Sequence, residues 1–289
     1  MSSSILVSSL INGLMVGSVY ALIALGLTVI FGIMKIINFA HGALLMLGMY
    51  CSFWLFELFH MDPYLSLFIN IPILFALGVL IQKLVINPVM EGPHYIQILV
   101  TVGLMLFLEN VALMVFTRDL RSVMVIYQKW VFTWGNVSIG FTRIAASILA
   151  LVLTALLYSM LKFTKLGKAI RATSQNKTGA ALIGIPIQSI YLLTFGIGTA
   201  CVGAAGAMIV PYYTVDPYVG LGFVLIAFIT VVMGGLESFG WVFISGLVIG
   251  IAESFGALFM PGSMKMVVVF VIFILVLLFS PLKNIKEQG

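Results

Sequence analysis

Residues 5–34 read ILVSSLINGLMVGSVYALIALGLTVIFGIM, thirty residues without a charged side chain. A helix needs roughly 20 apolar residues to cross a hydrocarbon core of about 30 Å, so this stretch is long enough to span a membrane. At ~1.5 Å per residue it would reach ~45 Å, and we therefore expect a helix that is strongly tilted or broken. Lys35 is the first charged residue of the chain. Because a secretory signal peptide has a basic start, this N-terminal stretch is interpreted as a spanning helix.

The composition of the whole chain agrees with this interpretation. Of 289 residues, 62% are hydrophobic and 8% are charged, whereas a soluble domain carries roughly 25% charged residues. So little polar surface could not keep a globular protein dispersed in water. The composition excludes a soluble enzyme, a disordered chain and a fibrous repeat. It indicates a polytopic membrane protein.

Apolar runs of spanning length fill the chain, and the breaks between them are short. They cover residues 5–34, 40–58, 64–82, 95–116, 144–161, 189–211, 217–234, 238–258 and 266–281. The ten-residue alternating strands of a β-barrel are absent from the sequence, so helices remain. We predict an all-α transmembrane bundle of about nine spans, with eight or ten also open. It is expected to form a single domain over residues 1–289.

Two connections are longer than the others. The segment 117–143 carries two tryptophans and the turn-like pair Gly135-Asn136, which predicts an interfacial loop or a small hairpin. The segment 162–190 carries five bases and no acid.

The distribution of bases predicts the orientation by the positive-inside rule. With loop 162–190 in the cytoplasm, nine basic residues lie inside and five lie outside. The inner set is Lys35, Lys83, Lys162, Lys165, Lys168, Arg171, Lys177, Lys283 and Lys286, and the outer set is Arg118, Arg121, Lys129, Arg143 and Lys265. Nine spans then place the N-terminus outside and the C-terminus in the cytoplasm.

Polar groups are sparse at membrane depth, where a charge is costly unless it is paired or hydrated. Asn38 and His41 lie between two apolar runs, either at a broken helix that lines a polar cavity or in a plain short loop. Glu253 lies within an apolar run and is a candidate for the translocation pathway, or it lies close to the outer interface. Glu109 also lies within an apolar run, or its helix end reaches the headgroup layer near Arg118.

Glycines recur at helical spacing within the apolar runs. Gly13-xxx-Gly17 and Gly246-xxx-Gly250 are patterns that let helix backbones approach closely. We expect a densely packed bundle of helices.

No pattern in the sequence carries covalent chemistry. HExxH, GxSxG and the phosphate-binding loop GxxxxGK[ST] are all absent. Cys51 and Cys201 form no metal-binding pattern, and no cofactor or metal is predicted. The net charge of +5 is that of a membrane protein with basic inner loops and requires no nucleic acid. An ATPase, if ATP drives the protein, must be another chain.

The basic loop is also the most informative motif. Residues 168–183 permit a helix, which Gly184 and Pro186 would end. A short helix with basic flanks and a small apolar tip can dock in a groove on a partner or lie on anionic lipid.

The pattern RAxxxNxxxAxxxGI within this loop resembles the coupling loop of the membrane permeases of bacterial ABC importers for branched-chain amino acids. Four further segments, 21–42, 215–223, 231–253 and 275–281, are similar to the same family and follow in order over nearly the whole chain. The resemblance implies a non-catalytic permease subunit of the bacterial inner membrane. Its implied partners are two cytoplasmic ATPase subunits, a second homologous permease subunit or a second copy, and an extracytoplasmic substrate-binding protein.

The resemblance also assigns residues of this loop to ATPase coupling. They are Arg171, Ala172, Asn176, Ala180 and Gly184. We expect 168–184 to form one helix, with Ala180 and Gly184 at the close contact with an ATPase and Arg171 at the rim.

Composition alone leaves another function open. A secondary transporter or channel for a small polar solute, such as an amide, urea or a short carboxylate, would have the same composition. A coupled carrier, however, usually shows several buried acids or repeated halves, and a passive channel needs no groove-docking loop.

Overall fold

The computed structural model describes residues 3–135, 137–236, 238–260 and 262–286. Within them the chain forms eleven α-helices and one β-hairpin. The helices are α1 (Ser3–Met34), α2 (His41–Phe59), α3 (Pro63–Ile81), α4 (His94–Phe116), α5 (Phe141–Phe163), α6 (Lys165–Gln175), α7 (Lys177–Leu182), α8 (Ile187–Ile209), α9 (Val219–Gly234), α10 (Phe239–Phe259) and α11 (Lys265–Lys286). The strands are β1 (Val131–Trp134) and β2 (Val137–Gly140).

The prediction of an all-α, polytopic helical bundle is confirmed, but the count of about nine spans is not. Seven helices of the described chain are long and apolar enough to cross a membrane: α1, α2, α3 with its continuation to Val89, α4, α5, α8 and α10. The apolar run 217–234 forms α9, which has only 16 residues. The described apolar part of the last run, Met266–Val276, is also shorter than a span.

The first helix is continuous over 32 residues, so the expected break does not fall within it. At ~1.5 Å per residue it is ~48 Å long, which exceeds a hydrocarbon core of about 30 Å. The chain leaves the helical conformation only after Met34, and residues 35–40 are not helical.

The two glycine motifs pack against each other. A Cβ atom at Gly17 would lie 2.8 Å from the Gly246 carbonyl oxygen, and one at Gly13 would lie 2.9 Å from the Gly250 carbonyl oxygen. These pairs make α1 and α10 antiparallel and leave no room for side chains between them. The close approach that the glycine spacing predicted is confirmed.

The basic loop and the hairpin lie at opposite ends of the bundle, because α5 connects them across it. At one end the Ser174 hydroxyl of α6 donates to the Gly32 carbonyl near the end of α1, at 2.6 Å. At the other end, Arg121 pairs through its backbone with Val215.

The predicted hairpin is present. β1 and β2 pair antiparallel from Val131 opposite Gly140 to Trp134 opposite Val137. Gly135 in the turn has φ +59°, and Asn136 lies outside the described residues.

The single helix expected over 168–184 is wrong, because two short helices occupy the loop. Asn176 separates them in an extended conformation, and its side chain accepts a hydrogen bond from the Gly179 amide at 2.8 Å. Asparagine favours this capping position over a helix interior. The predicted stop is correct: Gly184 has φ +85°, and the Ile185 amide donates to the Ala180 carbonyl in a C-terminal cap.

Candidate functional site

The break between α1 and α2 lies deep in the bundle. His41 Nε2 lies 3.0 Å from the carbonyl oxygen of Ile23 on α1. Ile23 precedes the end of α1 by eleven residues, or ~16 Å along the helix axis. The six residues 35–40 therefore lead back from the end of α1 toward the level of Ile23 before α2 begins. Asn38 and His41 are both fully buried there.

The first turn of α2 leaves several polar groups without partners. The Asn38 side-chain oxygen accepts from the Ala40 amide at 3.1 Å, and the amides of His41 and Leu44 donate to backbone carbonyls. The amides of Gly42 and Ala43 form no such bond, and no side chain caps this helix. Asn38 Nδ2 and His41 Nδ1 are also buried without a partner.

A second helix begins beside the first. A Cβ atom on Gly42 of α2 would overlap the carbonyl oxygen of Gly220, and one on Gly220 of α9 would lie 3.0 Å from the Ala43 amide nitrogen. The ring centroids of Phe39, just before α2, and Phe228, on α9, are 5.0 Å apart. Helix α9 therefore starts inside the bundle at the level of His41, and this position explains why its 16 residues suffice.

The buried acid Glu253 lies on α10 and contacts a neighbouring position of α1. The Tyr20 hydroxyl donates to the Glu253 carboxylate at 2.6 Å, and Tyr20 is one turn away from Ile23. On its other side Glu253 faces a cleft of about 120 Å³ that Arg143 also lines. The Arg143 guanidinium donates to the Asn12 side-chain oxygen at 3.0 Å. Successive turns of α1 thus hold Glu253 and His41, whereas Glu109 is buried on α4.

The predicted coupling residues separate into buried and exposed ones. Arg171 donates to the carbonyl oxygens of Leu161 and Lys162 and so attaches α6 to the end of α5. Ala180 is only 3% exposed, so its methyl group packs inside this chain here, and the expected contact of Ala180 with an ATPase stays a prediction.

The most exposed apolar side chains of the loop are those of Leu182, which is 83% exposed, and Ile183, which is 76% exposed. Gly184 is exposed beside them, as are Asn176 and Arg171, while Ala172 is partly buried. The apolar patch is visible in the sequence. Which residues of the patch face outward depends on the break at Asn176, which the helical pattern of the sequence does not show.

In the part of the chain that the structure describes, no group of three or more His, Cys, Asp or Glu side chains could hold a metal ion. Polar side chains and unpaired backbone at membrane depth are instead tolerated where protein or water satisfies them, as in transport proteins. The fold and this site define the class of the chain, a polytopic membrane transport protein.

Comparison with known sequences identifies the family. The family described as "Branched-chain amino acid transport system / permease component" matches residues 9–277. The high-affinity branched-chain amino acid transport system permease protein LivH of Escherichia coli K12 is 33% identical over 93% of this chain and 92% of its own length. The corresponding protein BraD of Pseudomonas aeruginosa is 32% identical over 94% and 93%. The chain belongs to this family of permease components. No solved structure matches it.

Proposed function

We propose that the chain is the permease subunit of an ATP-driven importer that moves branched-chain or other hydrophobic amino acids across the bacterial inner membrane. The observation that carries the proposal is similarity over more than nine tenths of the chain to permeases named for this transport. The unpaired polar groups at the start of α2 support it, because a solute crossing the bundle needs such groups. In this proposal the chain is one transmembrane domain without catalytic activity.

Separate chains would supply the energy and the solute. The proposed partners are two cytoplasmic ATPase subunits, a second homologous permease subunit or a second copy of this chain, and an extracytoplasmic substrate-binding protein. The absence of a phosphate-binding loop from the sequence supports ATP hydrolysis on another chain.

Coupling is assigned to the two-helix loop, with Leu182 and Ile183 seated in a groove on an ATPase. Their exposure supports this assignment, since a short apolar tip on a helix is a common way to dock in a groove. Gly184 turns the chain directly after the tip. Ala172, Asn176 and Ala180 then hold the loop's shape, and Arg171 fixes it to α5.

The translocation pathway is assigned to Asn38, His41 and Glu253. The burial of all three residues supports this assignment, as do the contacts of His41 and Glu253 with neighbouring turns of α1. Alternating access requires two arrangements of the bundle that expose one cavity to opposite sides. The first turns of α2 and α9 would separate and close again as the bundle switches.

The orientation places loop 162–190 and the C-terminus in the cytoplasm. The nine-to-five distribution of basic residues supports it. Residues 210–218 with the short helix α9 would make one pass and α11 another, which brings the passes to nine and puts the N-terminus outside.

ATP-dependent uptake tests the function directly. The permease is reconstituted in proteoliposomes with its ATPases, its partner permease and its binding protein, and radiolabelled leucine is added outside. We expect accumulation that requires ATP and the binding protein and that persists with a proton and sodium ionophore. Uptake that collapses with the ionophore would instead indicate a secondary transporter, and equilibration without ATP would indicate a channel.

A further inference from the structure

We propose that the start of α2 binds both charged groups of a zwitterionic amino acid. The amides of Gly42 and Ala43 and the Asn38 carboxamide donate to its carboxylate, and His41 Nδ1 accepts from its ammonium group. This inference rests on the proposed function, because it takes an amino acid as the transported solute.

The donors form a group at a helix N-terminus. The first amides of a helix have no partner within the helix, and the helix dipole adds positive potential there. A carboxylate is the ligand that such a position favours. At α2 the amides of Gly42 and Ala43 make no hydrogen bond, no side chain caps the helix, and both residues are buried.

A fully buried side chain supplies a further donor at the same place. The Asn38 carboxamide lies against the first turn of α2, because its oxygen accepts from the Ala40 amide at 3.1 Å. Its Nδ2 group has no partner. Buried amide groups are almost always hydrogen-bonded, so a donor left open beside two open backbone amides indicates that a ligand fills the site in another state.

The acceptor follows from the hydrogen bond of the histidine. The Ile23 carbonyl oxygen can only accept, so the His41 Nε2 atom at 3.0 Å carries the hydrogen. In the neutral imidazole Nδ1 then bears a lone pair, and it has no partner in this structure. An ammonium group, which only donates, matches this atom.

The first turn of α9 covers the site in this structure. Gly220 lies against Gly42 and the Ala43 amide, so an amino acid reaches the donors only when the two helix starts separate. Helix α9 is short and begins inside the bundle, so a movement of its first turn away from α2 would open the site.

Two substitutions of His41 distinguish a ligand from a structural role. His41→Gln can keep a donor to the Ile23 carbonyl but lacks the Nδ1 acceptor. His41→Asn keeps a polar acceptor near the Nδ1 position but is too short to reach Ile23. We expect His41→Gln to lower the initial rate of leucine uptake at least tenfold and His41→Asn to retain more of it.

Asn38→Asp makes the matching test on the donor side. An aspartate preserves the oxygen that accepts from the Ala40 amide, removes the Nδ2 donor and adds a charge that repels a carboxylate. We expect a loss of at least tenfold in uptake. Uptake at the wild-type rate by an assembled Asn38→Asp complex would contradict the donor role of Asn38.

The measurement is ATP-dependent leucine uptake at subsaturating concentration, at equal amounts of assembled complex and with one binding protein throughout. Thr154→Val is the matched control, because it removes a buried hydroxyl group that also has no hydrogen-bond partner. This variant should transport like the wild type. If Asn38→Asp does not assemble, the two His41 variants decide. Wild-type rates for His41→Gln, or a larger loss in His41→Asn than in His41→Gln, would overturn the inference, whereas a wild type that imports no leucine would overturn the proposed function itself.

Discussion

Gly42 and Gly220 touch through their backbones where α2 and α9 begin, deep inside the bundle. Neither position has space for a side chain, so the contact requires glycine on both helices. It joins the break after α1 to the short helix α9, and it therefore connects two irregular parts of the membrane bundle.

The Gly42–Gly220 contact predicts a specific defect. In Gly42→Ala the new methyl group overlaps the Gly220 carbonyl, so α2 and α9 must move apart. We expect a melting temperature lower by several degrees and reduced uptake, measured on purified complex. Gly222→Ala on α9 is the control, because a Cβ there meets nothing within 4 Å, and alanine is favoured over glycine in a helix by roughly 0.5–1 kcal/mol. Equal melting temperatures for the two variants would contradict the close contact.

A second prediction concerns the exposed tip of the coupling loop. Replacing Leu182 and Ile183 together with serine removes the apolar surface proposed to seat in an ATPase. We expect co-purification of the ATPases and leucine uptake to fall at least tenfold, while the amount of permease in the membrane stays the same. Leu120→Ser, at a side chain of similar exposure near the hairpin, should leave both unchanged. Normal assembly of the double variant would exclude this tip as the docking element.

The buried alanine of the same loop should behave differently. Ala180→Trp places a large side chain where 3% of the alanine is exposed, so the loop has to unfold locally. We expect uptake to be lost together with resistance of the loop to limited proteolysis. A variant with a protected loop and intact ATPase binding would mean that Ala180 is not a packing residue.

The hydrogen bond between Tyr20 and Glu253 predicts an energetic coupling. Tyr20→Phe removes the donor from a buried carboxylate, which costs about 1–3 kcal/mol of stability. In a double-mutant cycle with Glu253→Leu, which removes the acceptor, we expect the two losses not to add, measured by thermal or denaturant unfolding of the complex. Tyr95→Phe, at an exposed tyrosine, is the control and should change stability little. Additive losses would show that the 2.6 Å contact contributes nothing to stability.

The orientation is testable with two matched threonines. In a chain without Cys51 and Cys201, a cysteine at Thr133 on the hairpin should react with an impermeant thiol reagent in intact cells. One at Thr178 in the coupling loop should react only after the inner face is opened. Both positions are exposed, so access depends on the side of the membrane. The reverse pattern would invert the proposed topology.

Much of this fold follows from hydropathy, because each apolar run of the sequence coincides with a helix. The role of residues 217–234 does not. Their apolar length is that of a span, but only the contact of Gly220 with Gly42 reveals that α9 starts inside the bundle. The hydropathy of a segment indicates whether it can lie in an apolar environment. It does not show at what depth in the bundle the segment begins.

The candidate site, like the fold, is only partly predictable from the sequence. The polar pair Asn38 and His41 stands out between two apolar runs, and the break there is present. The partners of these residues, Ile23 and the first turn of α9, come from distant parts of the chain and leave no local signal. In the coupling loop, the helical pattern over 168–184 includes Asn176, although the preference of asparagine for capping positions is a local signal that divides the helix there.

The most direct test of the account is ATP-driven leucine uptake by His41→Ala and Asn38→Ala, each compared with the wild type at equal assembly with the ATPases. If these residues line the pathway of an amino-acid importer, the wild type accumulates leucine and both variants transport it at least tenfold more slowly, although each complex still assembles and hydrolyses ATP. Uptake at the wild-type rate in both variants would contradict the assignment of the break between α1 and α2 to the translocation pathway.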